Sequence, residues 1–362
     1  MPEGSLSSRA VYNPLPKVEV DGEANPRLDA LLLAMDMHEA EGGLSQLMLR
    51  FSNVASLAGG RAELAFEDER LLRLGAAVVV GAGDRNASAE IFRGRITALA
   101  AEFPQDAPPE LVVYAEDALQ SARLARKSRL FEAMHVADVV RQVAGEHGLT
   151  PVVDGLTGII GEWAQWNESD LAFLRRLLAR FHADLHVVGS ELHVSPLTAM
   201  QRNQIELHLH SQLTAVTLTA DLAHQVSGVS IAGWDETAGE AIRHTAQGAT
   251  IPPGAGRDSA RILDAGFGQR IEHLAQPVAR TAREAEALAQ AALERRMLGF
   301  VRAQGEAEGN PRLRVGTWTR LSGVSARFDN VYLVTRACHR YDQHHGYRTE
   351  FDAESAYFGS PA

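Results

Sequence analysis

Short stretches of alternating apolar and polar residues, each bounded by glycine, aspartate or asparagine, recur in both halves of the chain. Leu47, Leu49 and Phe51 show the pattern, because their neighbours are polar or exposed as in a half-buried strand. Further strand-like stretches occupy residues 18–20, 76–80, 91–97, 111–114, 205–218, 226–234, 314–321, 331–341 and 347–351. Strands separated by turn signals, such as residues 81–86, predict an antiparallel barrel or sandwich.

The middle of the chain changes to helical periodicity. One apolar stripe predicts an amphipathic helix, and a second helix should follow the N-cap candidates at 167–170. The first stripe is Val136, Val139, Val140 and Val143, and the second is Leu171, Leu174, Leu178 and Phe181. Residues 185–194 are typical of a hairpin, so residues 127–198 are predicted to form a small inserted α+β unit.

We therefore expect an α+β, mainly β fold with two antiparallel β-barrels. The predicted organisation is a flexible lead-in at 1–12, a first barrel at 13–126, the inserted unit at 127–198 and a second barrel at 199–362. Proline and glycine at 252–254 and 266–268 indicate a loop-rich insertion in the second barrel, at about 236–275. One long helix is predicted at about 279–298, which is rich in Ala, Glu, Leu and Arg.

The two β-rich parts also share a weak internal repeat. Leu-Arg-Leu-Gly at 72–75 precedes one strand, and Leu-Arg-Val-Gly at 313–316 precedes another. About twenty residues later, each copy has a strand ending in threonine, at Thr97 and Thr335. Duplication would give two barrels of one kind, while chance remains the alternative because strand–turn–strand sequences are common.

Charge and cysteine content exclude several classes of protein. The formal net charge is −11 and there is no long Lys/Arg stripe, which argues against a binder of duplex DNA. The only cysteine, Cys338, excludes an internal disulfide and fits folding in a reducing cytoplasm. No secretory signal peptide is expected at residues 1–10, and no apolar window approaches the roughly 20 residues that span a bilayer.

The histidines do not predict a metal site. Zinc requires three or four converging ligands, usually at recognisable spacings, and neither CxxC nor HExxH occurs. His208 and His210 would face the same side of a strand, His344 and His345 are adjacent, and His339 follows Cys338. Surface or hydrogen-bonded histidines explain these positions better, so no metal and no cofactor are expected.

Catalytic motifs are equally weak, and no catalytic residue is predicted. The glycine-rich residues 81–84 lack the Lys-Ser/Thr of a P-loop, and no GxSxG elbow occurs. Carboxylate pairs would form an acid–base couple only in a shared cleft, and tryptophans more often fill a core than stack on a sugar. The residues concerned are Glu67, Glu69, Glu162, Glu168, Trp163 and Trp166.

Residues 162–177, EWAQWNESDLAFLRRL, resemble a signature stretch of the phage late control D family. That family includes tail baseplate hubs of contractile phages and the hub half of VgrG-type type VI secretion spikes. Four further stretches are similar to the same family in the same order, at 14–22, 92–97, 229–235 and 316–351. The resemblance therefore covers nearly the whole chain.

The resemblance implies a structural, non-enzymatic hub. Two barrels related to the tail-tube fold would flank the small insertion, and three chains would form a ring of six barrels. Such a homotrimer would match a six-fold inner tube on one face and a three-fold spike on the other. The spike is expected as a separate polypeptide, because no OB-like domain or β-helix repeat follows residue 351.

The remaining partners implied are other baseplate proteins and, as an open alternative, a translocated effector; no sequence-specific nucleic-acid binding is implied. The protein would assemble in the cytoplasm and then reside in the baseplate of a virion or injection particle. Phage tail and bacterial injection system both stay open. Two rival hypotheses are a tail-associated peptidoglycan or glycan hydrolase, and a glycan-binding module formed by residues 127–198.

Overall fold

The computed structural model describes residues 15–56, 62–84, 87–249, 251 and 253–359. The first part of the chain is almost entirely β-structure. The one helix in its described residues begins where the side chain of Asn25 accepts a hydrogen bond from the Arg27 amide at 2.9 Å, with Pro26 at the first turn. The elements are β1 (Lys17–Val20), β2 (Glu23–Ala24), α1 (Pro26–Leu31), β3 (Leu32–Ala40), β4 (Gln46–Ser52), β5 (Val54–Ser56), β6 (Ala62–Leu64), β7 (Ala77–Asp84), β8 (Ala87–Glu102) and β9 (Glu110–Glu116).

The middle of the chain combines helices with short strands. Ser169 caps α4 by accepting from the Ala172 amide at 3.2 Å, whereas His135 precedes α3 without a side-chain cap. The elements are α2 (Gln120–Leu124), β10 (Arg126–His135), α3 (Val136–Glu146), β11 (Thr150–Val153), β12 (Ile160–Ser169), α4 (Asp170–Ala179), β13 (Ala183–Val188), β14 (Glu191–Pro196) and a 3₁₀ turn (Leu197–Ala199). The two predicted helices and the hairpin are confirmed.

The last part returns to β-structure around one long helix. Its elements are β15 (Asn203–His208), β16 (Leu213–Ala220), β17 (Gly228–Asp235), β18 (Glu240–Gln247), β19 (Arg257–Asp258), α5 (Ser259–Gly266), β20 (Ile271–Ala279), α6 (Ala282–Leu298), β21 (Val301–Glu308), β22 (Thr317–Ser322), β23 (Asn330–Asp342), β24 (Gly346–Ser355) and β25 (Tyr357–Phe358). Strands hold 52% and helices 18% of the residues, so the mainly-β α+β class is confirmed. No helix of the described ranges is long and apolar enough to cross a membrane.

One large sheet runs through both β-rich parts. Within the described ranges it has thirteen strands, in the order β16-β21-β24-β23-β3-β4-β9-β8-β7-β1-β2, with β22 and β15 branching from β23. The junction is the antiparallel pair β3–β23, where Met37 lies opposite His339. The first and second β units are therefore joined edge to edge by backbone hydrogen bonds.

The two units have the same strand order. The first is β3-β4-β9-β8-β7-β1 and the second is β16-β21-β24-β23-β22-β15, with corresponding strands in the same chain order. One difference is that β1 is antiparallel to β7 whereas β15 is parallel to β22. In the second unit the two terminal strands of this order meet at a turn, where Leu209 bridges Leu213.

The short internal repeat has the same backbone geometry in both units. Gly75 and Gly316 have φ of 80° and 81°, a left-handed conformation that glycine adopts without steric cost. The Gly75 amide donates to the Ile96 carbonyl at 2.8 Å, and the Gly316 amide donates to the Val334 carbonyl at 2.9 Å. These hydrogen bonds place equivalent turns against equivalent strands.

The two threonines of the repeat mark equivalent irregularities in β8 and β23. Each lies where the strand register shifts by one residue, at 96–98 and at 334–336. The Thr97 hydroxyl donates to the Tyr114 carbonyl at 3.4 Å, and the Thr335 hydroxyl donates to the Asp352 carbonyl at 3.3 Å. Shared strand order, turns and bulges favour duplication over chance.

The described residues bury three hydrophobic cores. Each β unit has its own, one containing Phe51 and the other containing Phe351. The third core is shared, because Leu174 of the inserted unit and Leu288 of α6 belong to one cluster. Much of the segment from β17 to α6 therefore packs with the inserted unit, while β19 pairs with β25 and Ile262 of α5 packs against the core that contains Phe351.

Two local predictions were wrong. Residues 236–275 are not mainly loop, since they contain β18, α5 and the start of β20; β18 forms because it pairs along its whole length with β17. Residues 81–84 continue β7 instead of forming a turn. A Cβ on Gly81 would lie 2.6 Å from the Ser88 Oγ, so the glycine permits close pairing with β8. Residues 85–86 and the expected lead-in at 1–12 lie outside the described residues.

Candidate assembly seam

The seam between the two β units is formed by β3 and β23. Seven residue pairs run from Ala40 opposite Arg336 to Ala34 opposite Asp342. On the inner face, Met35 and Met37 are fully buried, and Tyr341 is only 6% exposed. Apolar burial and backbone pairing thus coincide, so the seam is a continuous part of the fold.

A buried ion triad lies across this seam. Glu39 on β3 is 3% exposed. Its Oε1 lies 2.5 Å from Arg202 Nη1, and its Oε2 lies 2.6 Å from Arg314 Nε. The Val315 amide donates to the same carboxylate at 3.3 Å. Burial alone would raise the pKa of Glu39, but the two guanidinium groups outweigh burial and hold the pKa well below its usual range. The carboxylate is therefore ionised in the folded protein.

His339 lies beside the triad, also fully buried. Its Nδ1 is 2.8 Å from the Tyr347 hydroxyl and 3.3 Å from the Thr349 hydroxyl. Burial, reinforced by the charge of Arg314, lowers the pKa of His339 to about 3. This histidine is a neutral, hydrogen-bonded part of the seam, as expected for a structural histidine.

The structure brings together one metal-like group that the sequence did not reveal. Asp36 and His38 on β3 meet Cys338 on β23, with ligand atoms within 4.8 Å of one another. However, Arg340 Nε lies 3.1 Å from the Asp36 carboxylate, and burial raises the pKa of the Cys338 thiol. A metal ion requires the thiolate, so a protonated thiol beside a guanidinium fits zinc poorly. His38 and Cys338 are 300 residues apart, which is why no local spacing indicated the group.

The predicted histidine pairs are separated or exposed. β15 ends at His208, and His210 lies in the following turn with φ of 63°, so the expectation that both face one side of a strand was wrong. The Nδ1 of His345 contacts Asp342 at 3.0 Å in an exposed turn next to His344. Neither pair forms part of the metal-like group in the described chain.

Two of the four carboxylates singled out by sequence bind arginines rather than each other. Glu162 forms an exposed ion pair with Arg280 at 2.5 Å, and Glu168 forms one with Arg176 at 2.6 Å. Glu67 and Glu69 lie two residues apart and are both exposed on the surface. The contacts of Glu162 and Glu168 give these two residues structural partners.

The two tryptophans have different environments. Trp163 is 3% exposed, and its Nε1 donates to the Met134 carbonyl at 2.9 Å, which confirms its core position. Trp166 is 82% exposed, so the prediction that it fills the core was wrong. Alternation along β12 buries Trp163 and Gln165 and turns Ala164 and Trp166 outward.

The rest of the signature stretch organises a polar network around the first residue of α4. The Asp170 carboxylate contacts Lys127 at 2.6 Å, Arg129 at 2.9 Å, His147 at 2.8 Å and Gln165 at 2.9 Å. Burial would raise the pKa of Asp170, but these partners together lower it to about 2. The network fastens α4 to β10, β12 and the end of α3, a structural role.

A cavity of about 350 Å³ lies between the first β unit and the inserted unit. Its lining includes Glu41, Asp184 and Arg295. Burial, then the charge of Asp184, raises the pKa of Glu41 to about 7, and burial raises the pKa of Asp184 to about 6. The Gly42 amide donates to Asp184 at 2.5 Å, so the turn after β3 is tied directly to β13.

Residues 56–343 match the protein-family model described as the Alg8 N-terminal domain, a span well over half of the chain. The chain belongs to that family. Membership of the late control D family, which the motifs suggested, stays a prediction. No curated protein matches the chain significantly.

Solved structures of tail proteins share the fold over almost the whole chain. The 43 kDa tail protein of prophage MuSo2 from Shewanella oneidensis has a TM-score of 0.67 at 12% identity, covering 94% of this chain and 98% of its own. A tail protein from Neisseria meningitidis has a TM-score of 0.62 at 11% identity, covering 94% and 96%. An Escherichia coli type VI secretion component, described as similar to T4 bacteriophage tail proteins, has a TM-score of 0.61 at 12% identity, covering 96% and 79%. At these identities the likeness shows a common fold.

Proposed function

We propose that the chain is a structural hub of a phage-tail-like baseplate, acting as a homotrimeric adaptor between a six-fold inner tube and a three-fold spike. The observation that carries the proposal is the repetition of one six-strand order in a single chain, with matching glycine turns and threonine bulges. Three copies of a chain with two similar units present six similar units. A trimer can thereby meet a hexameric ring with repeated contacts.

The shared fold supports the same function. The three structures above are a prophage tail protein, a second tail protein and a component of the type VI secretion system. All three match nearly all of this chain, including the inserted unit, and two of them are themselves covered almost completely. The proposal places this chain in the same kind of assembly, whether viral or bacterial.

Exposed apolar side chains on the β10–β12 pair suggest where other baseplate proteins bind. Leu130 and Ile160 are each 52% exposed, in addition to Trp166. Aromatic and large aliphatic side chains are enriched at interfaces, whereas isolated ones on a surface need no explanation. We assign this surface, Leu130, Ile160 and Trp166, to a protein partner in the baseplate, and glycan binding by the inserted unit is the competing outcome.

The proposal contains no catalytic step. Glu162 and Glu168, two of the four carboxylates singled out for acid–base chemistry, are held in ion pairs with arginine, and the buried Glu39 carboxylate at the seam is paired with Arg202 and Arg314. Assembly occurs in the producing cell, and the mature location is the junction of tube and spike.

Copy number and position test the proposal together. Native mass spectrometry of the purified chain should give a mass of three copies, and imaging of assembled particles should place three copies where the tube meets the spike. A Trp166→Ala variant should keep the trimer and lose binding to a baseplate partner, with the partly exposed Trp234→Ala as the matched control. Particles that assemble and inject normally without this chain would contradict the proposal, as would glycan binding by the intact chain that is lost in Trp166→Ala.

A further inference from the structure

The strands β8, beyond Thr97, and β16 each have an edge without a strand partner among the described residues. β8 pairs with β7 up to Arg95 and with β9 up to Glu102, so beyond Thr97 the side that faced β7 is open. β16 pairs along its length with β21, and its other side is open from residue 215 onward. Open edges present backbone donors and acceptors to any extended strand, and proteins normally cover them.

These open edges correspond to a pair of edges that is already joined. In the repeated strand order, β8 corresponds to β23 and β16 corresponds to β3. β23 and β3 are the two strands of the seam. The chain therefore makes one junction of this kind internally, between β3 and β23. The equivalent edges of β8 and β16 lie toward opposite ends of the sheet, so they do not pair with each other within a single copy.

The bulges fix the correspondence along β8. Thr97 and Thr335 occupy the same place in the two units, so the residues that follow them also correspond. Ala101 lies four residues after Thr97 and His339 lies four residues after Thr335, so Ala101 is the equivalent of His339. In the seam His339 lies opposite Met37.

Cross-strand partners fix the correspondence along β16. Leu47 lies opposite Met37 in the first unit, and Ala303 lies opposite Leu218 in the second. Leu47 and Ala303 are themselves equivalent. Each lies opposite an alanine on the next strand, and that alanine lies opposite the residue that precedes the threonine of the bulge. Leu218 is therefore the equivalent of Met37, and the repeated register places Leu218 opposite Ala101.

The side chains at both open edges are apolar at the positions that the seam buries. Tyr341 is 6% exposed in the seam, and its equivalent Phe103 is 65% exposed. Met35 and Met37 are buried, whereas their equivalents Val216 and Leu218 are only partly buried. An interface that repeats the seam would cover these exposed groups.

We infer that a second copy of this chain docks at these edges, with β16 of one copy antiparallel to residues 98–103 of the next and Leu218 opposite Ala101. The contact joins two different surfaces, so it repeats head to tail and covers both open edges when it closes into a ring. Closure after three copies rests on the proposed function, while the strand pairing rests on the internal repeat.

A disulfide trap tests the register. Directly opposed residues on antiparallel strands have Cβ atoms about 4.5–5.5 Å apart, close to the range that a disulfide requires. Ala101→Cys combined with Leu218→Cys should give covalent multimers under mild oxidation, observed by non-reducing electrophoresis. Ala101→Cys with Thr217→Cys is the matched control, because neighbouring residues on a strand point to opposite faces. The native Cys338 is fully buried and does not compete.

The outcomes separate this interface from the hub function. Cross-linking of the 101/218 pair but not of the 101/217 pair supports the inference. A three-copy mass without cross-linking of the 101/218 pair, in solution and in particles, overturns the interface and leaves the hub proposal intact. As a second variant, Phe103→Glu should lower the copy number to one at micromolar concentration without changing the melting temperature of the monomer. An unchanged copy number in that variant would count against the interface.

Discussion

Replacing Glu39 by glutamine should strongly destabilise the protein. The carboxylate is 3% exposed and accepts from Arg202 at 2.5 Å and from Arg314 at 2.6 Å. Both arginine side chains are themselves largely buried. Glutamine keeps the size of the side chain but removes the only negative charge of the triad, which contacts both buried guanidinium groups.

The expected loss in free energy of unfolding is about 3–5 kcal/mol, the cost of leaving a buried charge without its partner. With a urea dependence of about 3 kcal/mol per molar, the midpoint should fall by about 1–1.7 M. Replacing Arg202 and Arg314 by leucine in the same variant should recover part of the loss, because well-packed apolar groups can substitute for a complete buried ion cluster.

Urea unfolding followed by tryptophan fluorescence measures this effect, since Trp318 is buried near the seam and its Nε1 donates to the Met200 carbonyl at 2.7 Å. Glu168→Gln is the control, because it makes the same chemical change in an ion pair whose Arg176 is 51% exposed. Exposed pairs contribute about 0–1 kcal/mol. If the loss in free energy of unfolding for Glu39→Gln lies within 1 kcal/mol of this control, the triad is not shielded from water and is not essential to the stability of the seam.

Other predictions concern packing, pH and backbone contacts. Leu174→Ala should cost about 2–5 kcal/mol in urea unfolding, because Leu174 is fully buried in α4; a negligible change would contradict its placement. The pKa of Glu41 rises from 4.5 to about 7 on folding, so the folded state holds its proton more tightly and stability should fall as pH rises from about 4.5 to 7. Glu41→Gln should flatten the dependence of melting temperature on pH in that range. An unchanged slope would show that other groups cause the dependence. Gly94→Ala should destabilise the protein by about 1–3 kcal/mol, because the added Cβ would lie 2.1 Å from the Glu116 carbonyl oxygen. Gly145→Ala, where the added Cβ meets open space in α3, should stabilise the protein by roughly 0.5–1 kcal/mol. Equal effects of the two substitutions in chemical unfolding would contradict this prediction.

Local periodicity predicted most of the elements correctly. Alternation identified strands such as β4, and the valine stripe and the Ser169 cap identified α3 and α4. Glycine and proline signals were less reliable, since those near residues 252–254 suggested a loop-rich segment where β18, α5 and β20 form. Turn residues report the ends of elements, whereas pairing with a neighbour decides whether a short polar stretch becomes a strand.

The seam could not be predicted from sequence for a different reason. Glu39 follows Met37 and His38 in an ordinary strand pattern, and its partners Arg202 and Arg314 lie 163 and 275 residues away. No local feature indicates which distant strand will lie beside β3. The internal repeat was the one sequence signal related to the seam, because it indicated two similar units without showing how they join.

The pairing of β3 with β23 also affects how the chain is made. His38 and Cys338 touch across a separation of 300 residues, so β3 leaves the ribosome long before its neighbour exists. At about 5–20 residues per second, the nascent first unit waits roughly 15–60 s with that edge uncovered. During this interval two growing chains on one messenger could join through the wrong strands, so slow translation or crowded polysomes should reduce the yield of correctly folded protein.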